Sequence, residues 1–220
     1  RIDWQLMRRL VVIGAPISIA FLLEYGLFGA AGLLMGVIST TALAAHQIAL
    51  QIAAILYMVP FGISMAATVR VGHAVGRRDP GGVRRAGYIA IWLGIVLAAV
   101  LTLAVIISRF AIAAVFLGES TDATAELSAA LLLVGSTFFI ADAIQTVAAG
   151  SLRGMNDTRI PLLFATLSYW LIGFPCAWWL GFQTPLGAAG VWIGLSVGTA
   201  VYAALLLFRF HRMAGRFGKP

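Results

Sequence analysis

Six apolar runs, each of 22 residues or more, leave this chain few options. They fall at about 10–36, 43–69, 86–108, 124–150, 160–181 and 187–208. A helix rises about 1.5 Å per residue and a bilayer core is about 30 Å thick, so each run is long enough to cross. The only viable way to cross with the backbone satisfied, short of a closed barrel, is a helix. The expected fold is therefore an all-α integral membrane bundle of six transmembrane helices. Composition agrees: 61% of residues are hydrophobic and 10% charged, with a mean hydropathy of +0.99. Soluble domains run near 45–50% apolar and about 25% charged.

The links are short. Val37 to Ala42 is uncharged, and Gly76 to Arg85 reads GRRDPGGVRR, with Asp79-Pro80-Gly81-Gly82 as a turn signal. Arg109 to Ala123 carries Glu119 and Asp122, with a helix start expected near Thr121 or Thr124. Ser151 to Arg159 follows, then Phe182 to Leu186 with Pro185, then a basic tail from Arg209.

The formal charge of +7 would suit nucleic acid, but its placement does not. Counting by side with six spans, one side holds Arg1, Arg8, Arg9, Arg70, Arg77, Arg78, Arg84 and Arg85. The same side holds Arg153, Arg159, Arg209, Arg212, Arg216 and Lys219. Arg109 stands alone opposite. That asymmetry places both ends of the segment in the cytoplasm and supports an even number of spans. The partner it points to is the lipid bilayer, not nucleic acid. The chain opens on Arg1 with no signal-peptide pattern, and a segment of a longer membrane protein is expected. Cys176 is the single cysteine, which excludes an intrachain disulfide and any zinc pattern. Glycines at four-residue spacing (Gly32 and Gly36, Gly72 and Gly76, and Gly190, Gly194 and Gly198) predict close helix contacts, most of all in the last span.

Two carboxyl groups carry the functional argument. Of eight acidic residues, only Glu24 and Asp142 lie deep in apolar runs. A charge at mid-bilayer costs on the order of 2.5 kcal/mol or more against lipid, so both acids face protein or a wet cavity. No lysine or arginine lies deep enough in the sequence to neutralise them, and a mobile cation, H⁺ or Na⁺, is the expected partner. At helical spacing Asp142 shares a stripe with Gly135, Phe138, Gln145, Thr146 and Ala149. Gln145 and Thr146 carry oxygens suited to a hard cation. On the second run Gln47 and Gln51 share a face as candidate cavity lining, beside His46, which reads as a hydrogen-bonded structural residue. Pro16 and Pro60 are set to bend their helices, and Pro161 and Pro175 flank or interrupt the fifth. Trp170, Trp178, Trp179 and Trp192 read as interfacial anchors. Phosphate loops, the Gly-x-Ser-x-Gly elbow, His-Glu-x-x-His and cysteine pairs are all absent from the sequence. An aspartyl dyad would need two Asp where this chain has Glu and Asp. The chain is not read as an enzyme, and no cofactor is expected.

Several stretches resemble multidrug and toxic compound extrusion (MATE) transporters of the NorM type. They are Gly14-Ala15-Pro16 with Leu23-Glu24-Tyr25-Gly26-Leu27-Phe28; Ala42 to Leu50, through Tyr57-Met58-Val59-Pro60 to His73; and Asp142-Ala143-Ile144-Gln145. Gly150-Ser151-Leu152-Arg153-Gly154 with Asp157-Thr158, Ser168-Tyr169-Trp170 with Gly173 and Pro175, and Pro185 to Trp192 complete the pattern. The resemblance covers residues 1–220 as one unit, similar to the C-terminal six-helix lobe of a twelve-helix protein. It implies an antiporter in a bacterial inner membrane that exports organic, often cationic compounds as Na⁺ or H⁺ enters. It implies an N-terminal six-helix half as partner, on the same polypeptide. It also implies that Glu24 and Asp142 bind the coupling cation, Na⁺ included. Phe138 stands where some relatives carry Tyr; it offers a ring face in place of a phenolic oxygen. Two rival readings are a flippase for lipid-linked saccharides from a related superfamily and a non-transporting helical packing module.

Overall fold

The computed structural model describes residues 3–117 and 123–217. Among these, six helical segments are long and apolar enough to cross a membrane. They are α1 (Trp4–Ile38), α2 (Thr40–Gly76), α3 (Pro80–Leu117), α4 (Ala123–Gly154), a composite fifth span and α7 (Ala188–Arg216). The fifth comprises α5 (Arg159–Ala165), a π-helical stretch (Thr166–Gly173) and α6 (Phe174–Phe182). Six spans were expected, and the described ends run past the apolar runs. Hydropathy marks only the hydrocarbon slab, whereas helical hydrogen bonding continues into the headgroup zone. Arginine is a good helix former, so Arg8, Arg70, Arg84 and Arg212 extend their helices instead of ending them. Arg109, expected in a link, lies in α3, with its guanidinium donating to the Ile106 carbonyl at 3.3 Å. Arg1, Glu119, Thr121, Asp122 and Lys219 lie outside the described residues.

The links are shorter than the sequence suggests, because their polar residues serve as caps. Ser39 alone separates α1 from α2. Its N–H donates to the Met35 carbonyl at 3.1 Å, closing α1, while its Oγ accepts from the Ala42 N–H at 2.9 Å, opening α2. Gly81 and Gly82, expected in a turn, are helical. Pro80 takes the first position of α3, where its missing N–H costs nothing, and the Asp79 carboxylate accepts from the Gly82 N–H at 2.8 Å. The turn itself falls on Arg78, which adopts φ 54°. Asn156 (φ 60°) turns the chain after α4, and Gly187 (φ 52°) precedes α7, a conformation a side chain would strain.

α4 is the axis of the bundle. It packs against α2, α3 and α7, and seventeen of its 32 residues are buried. α1 is the opposite case: only Leu27, Ala31 and Met35 are buried among 35 residues. The tightest helix approach is in the last span, as expected. A Cβ at Gly194 would collide with the backbone of Ala177, one at Gly190 with the Leu180 carbonyl, and one at Gly198 would sit 2.8 Å from Gly173. Gly32 and Gly36 have ordinary clearance, 3.8 Å, so that pair is not a packing motif. Near one end of the bundle, Arg209 of α7 pairs with Asp157 at 2.8 Å, and Tyr88 of α3 meets His211 of α7 at 2.6 Å.

Candidate functional site

The two deep acids come together, one from the peripheral helix and one from the axis. Gln145, one turn after Asp142 on α4, joins them. Its Nε2 donates to Oδ1 of Asp142 at 2.8 Å and to Oε1 of Glu24 on α1 at 3.0 Å. Asp142 and Gln145 are buried, at 7% and 3% exposed, and Glu24 is half-buried. Among the described residues the ion pairs are Arg77–Asp79 and Arg209–Asp157, so no fixed cation pairs with either deep acid. Gln145 therefore presents donors to the carboxyls, not the oxygens expected from the sequence. In this arrangement the amide joins the two carboxyl groups by hydrogen bonds and leaves their charge unneutralised.

Glu24 and Gln145 line a cavity of about 50 Å³. That is room for more than one water, since a single water needs about 10–15 Å³. Tyr57 of α2, Thr146 of α4 and Tyr202 of α7 share its wall, and it runs toward Arg153, Asp157 and Pro161 at the α4–α5 link. Tyr169, carried by the π-helical stretch, is buried against Tyr202 with ring centroids 5.1 Å apart. The π stretch is the local answer to Pro175, which offers no N–H to the turn before it. The Phe174 N–H accordingly reaches back five residues to the Tyr169 carbonyl. The widened turn also aims Trp170 at α1, where its indole N–H donates to the Leu23 carbonyl at 3.2 Å. Glu24 is thus held by two contacts, one on its side chain and one on the residue before it.

Several candidates sit elsewhere. Phe138 lines neither this cavity nor the smaller one behind Asp142. It is 2% exposed in an aromatic cluster, edge-on to Phe28 at 5.6 Å and to Trp192 at 5.7 Å. Trp192 is fully buried in that cluster instead of anchoring at the interface; only Trp178 and Trp179 keep an exposed, interfacial character. His46 is fully buried against Trp192 at 5.8 Å, with neither ring nitrogen hydrogen-bonded. Gln47 and Gln51 are on the exposed face of α2, outside the cavity.

The sequence reading missed Arg153, Tyr57, Tyr169 and Tyr202. Arg153 was assigned to a link, yet it ends α4 pointing inward, its Nη2 donating to Ser64 Oγ at 2.7 Å. The signal was there: Arg153 follows Asp142 by eleven residues, three helical turns along the same face. The tyrosines carried no such mark, since an aromatic in an apolar run reads as core.

Comparison with known proteins adds the context. The MatE family model matches residues 16–179. A probable multidrug resistance protein NorM of Bradyrhizobium diazoefficiens is 62% identical over 98% of this chain and 47% of that protein. A multidrug resistance protein NorM of Burkholderia vietnamiensis is 46% identical over 94% of this chain and 45% of that protein. The chain thus spans about half the length of the relatives it matches. Two solved structures share the fold. One is the eukaryotic MATE transporter AtDTX14, with a TM-score of 0.87 and 24% identity over 99% of this chain and 50% of that one. The other is an outward-facing multidrug resistance MATE family transporter of the MOP superfamily, with a TM-score of 0.91 and 17% identity over 100% of this chain and 49% of that one.

Proposed function

Because this chain belongs to the MATE family, a family of membrane transporters and not of enzymes, we propose that residues 1–220 form the C-terminal lobe of a twelve-helix antiporter. That antiporter exports organic, often cationic compounds in exchange for Na⁺ or H⁺ across a bacterial inner membrane. The partner is an N-terminal six-helix half on the same polypeptide, and both ends of this segment lie in the cytoplasm. One observation carries the reading: Glu24 and Asp142 meet over a single amide, with no fixed cation paired to either. Two negative charges this close repel strongly in a low-dielectric interior, and an entering cation relieves that repulsion. Carboxylate oxygens suit a proton and a hard cation such as Na⁺ alike.

The residues divide the work. Asp142 is the ligand on the bundle axis, and Glu24 is the ligand on a span with few residues buried within this lobe. Gln145 keeps the two in register when no ion is bound and turns its amide oxygen inward when one is. Binding that favours one arrangement of α1 over another shifts the equilibrium between lobe arrangements, which is what coupling requires. Gln47 and Gln51, exposed amides in an apolar span, face the cleft shared with the other half, because against lipid their hydrogen bonds would go unmet.

The test is transport by the full-length protein in vesicles with imposed gradients. Efflux of a cationic dye should follow an inward Na⁺ or H⁺ gradient and stop when the gradient is collapsed. Efflux indifferent to both gradients would sink the reading. Arg153 is the observation that favours a flippase, since an anionic saccharide lipid needs a cation in the cavity. Its guanidinium is already engaged by Ser64 and pairs with neither acid, which weighs against that. Translocation of a lipid-linked pyrophosphate in the same vesicles, with no dye efflux, would reverse the choice.

A further inference from the structure

Asp142 also borders a second cavity, of about 10 Å³, on the side toward α3. Its wall includes Leu56, Tyr57 and Pro60 of α2, Thr102 of α3 and Phe139 of α4. Thr102 is 2% exposed, and its hydroxyl has no hydrogen-bond partner. Among the described residues the buried hydroxyls of Thr146 and Ser168 share that state, and Thr146 borders the larger cavity. Thr68, Ser128, Ser151, Thr166, Ser196 and Thr199 all return their hydroxyls to the carbonyl four residues back. Thr102 forgoes that bond, and its residue borders the cavity instead. Pro60 contributes a second polar atom. Lacking an N–H, it leaves the Leu56 carbonyl without its helical donor, and both residues border the same space. The volume matches one water, and a buried water needs two to four polar partners. Three of the bordering residues carry a polar group that could serve: Thr102 its hydroxyl, Leu56 its carbonyl and Asp142 its carboxylate.

We infer that this cavity is a binding position for one water, held by Thr102 and the Leu56 carbonyl, which hydrogen-bonds Asp142 from behind and sets how firmly that carboxylate holds the coupling ion. The inference deepens the transport reading above and rests on it. Thr102 is a positioning residue: it acts through the water and never touches the ion. Tyr57 borders both cavities.

The experiment uses the full-length transporter with Thr102→Val, which keeps shape and removes the hydroxyl, and Thr102→Ser, which restores it. Thr199→Val, at a buried hydroxyl that does bond its own helix, is the control. Two readouts are taken: the cation concentration giving half-maximal efflux and the infrared carboxyl band assigned with Asp142→Asn. Thr102→Val should shift the half-maximal concentration about fivefold at an unchanged maximal rate and move the Asp142 band. Thr102→Ser should return both toward wild type, and Thr199→Val should move neither. A Thr102→Val protein with wild-type half-saturation and an unmoved band overturns the inference. So does a loss of efflux in Thr102→Val that Thr102→Ser fails to rescue. If Glu24→Gln and Asp142→Asn keep full ion-driven efflux, the transport reading itself fails, an outcome distinct from a silent Thr102→Val.

Discussion

α4 and α1 each supply one acid to the site, and they could hardly hold it more differently. Asp142 sits on a helix with seventeen buried residues, walled in by three other spans. Glu24 sits on a helix with three, tied by the Gln145 amide and the Trp170 indole. A packed interior resists deformation, whereas a helix with few buried contacts moves at low cost. On the transport reading proposed above, an ion bound between them would link the position of α1 to that of the axis.

The largest effect that would sharpen this contrast is on stability. Gly194→Leu puts a side chain where the backbone of Ala177 already is, and should cost about 3 kcal/mol or more. Gly29→Ala on α1, with nothing within 4 Å of the added carbon, should be neutral or stabilising by up to about 1 kcal/mol. Thermal unfolding of the full-length protein in detergent compares them, and equal losses would break the contrast. Next comes function. Asp142→Asn and Glu24→Gln should each reduce ion-driven efflux about 100-fold, near the upper range of a coupling free energy, with protein still folded in the membrane. Wild-type efflux in both would remove the acid pair from the mechanism.

A smaller effect falls on the bridge. Gln145→Leu should weaken coupling about tenfold while dye binding persists, because the acids remain but lose their common donor. The smallest is at the second tie. Trp170→Phe removes one hydrogen bond to the Leu23 carbonyl, worth about 1 kcal/mol, so amide exchange along the middle of α1 should quicken about fivefold and that of α4 should not. Equal acceleration in both helices would mean that α1 is not separately attached.

The contrast also explains what the residues disclosed and what they withheld. The six spans were legible because a bilayer imposes a length and a polarity that no other solvent does. Glu24 and Asp142 were legible for the same reason, as charges where charge is costly. Their meeting over Gln145 was not, since it depends on how α1 lies against α4, and α1 has too few packing determinants to announce its register. The ends of the helices were misjudged wherever a turn residue could also start a helix: Ser39 and Asp79 are caps, and Pro80 is the first residue of α3. Phe138 and Trp192 were assigned to cavity and interface because an aromatic ring in an apolar run looks the same in either place or in a core. The π stretch is invisible to periodicity altogether, as it amounts to one extra residue per turn around Pro175.

The joint at Ser39 has a mechanical corollary. A single residue closes one helix and opens the next, so a tilt of α1 relative to α2 would work as a lever pivoting there. Glu24 lies about 22 Å along the lever, at 1.5 Å per residue, and Trp4 about 52 Å. A tilt of about 10° would carry the carboxylate about 4 Å, farther than a hydrogen bond can stretch, and the far tip more than twice as far. A displacement of about 4 Å at mid-membrane would thus correspond to about 9 Å at the far tip of α1.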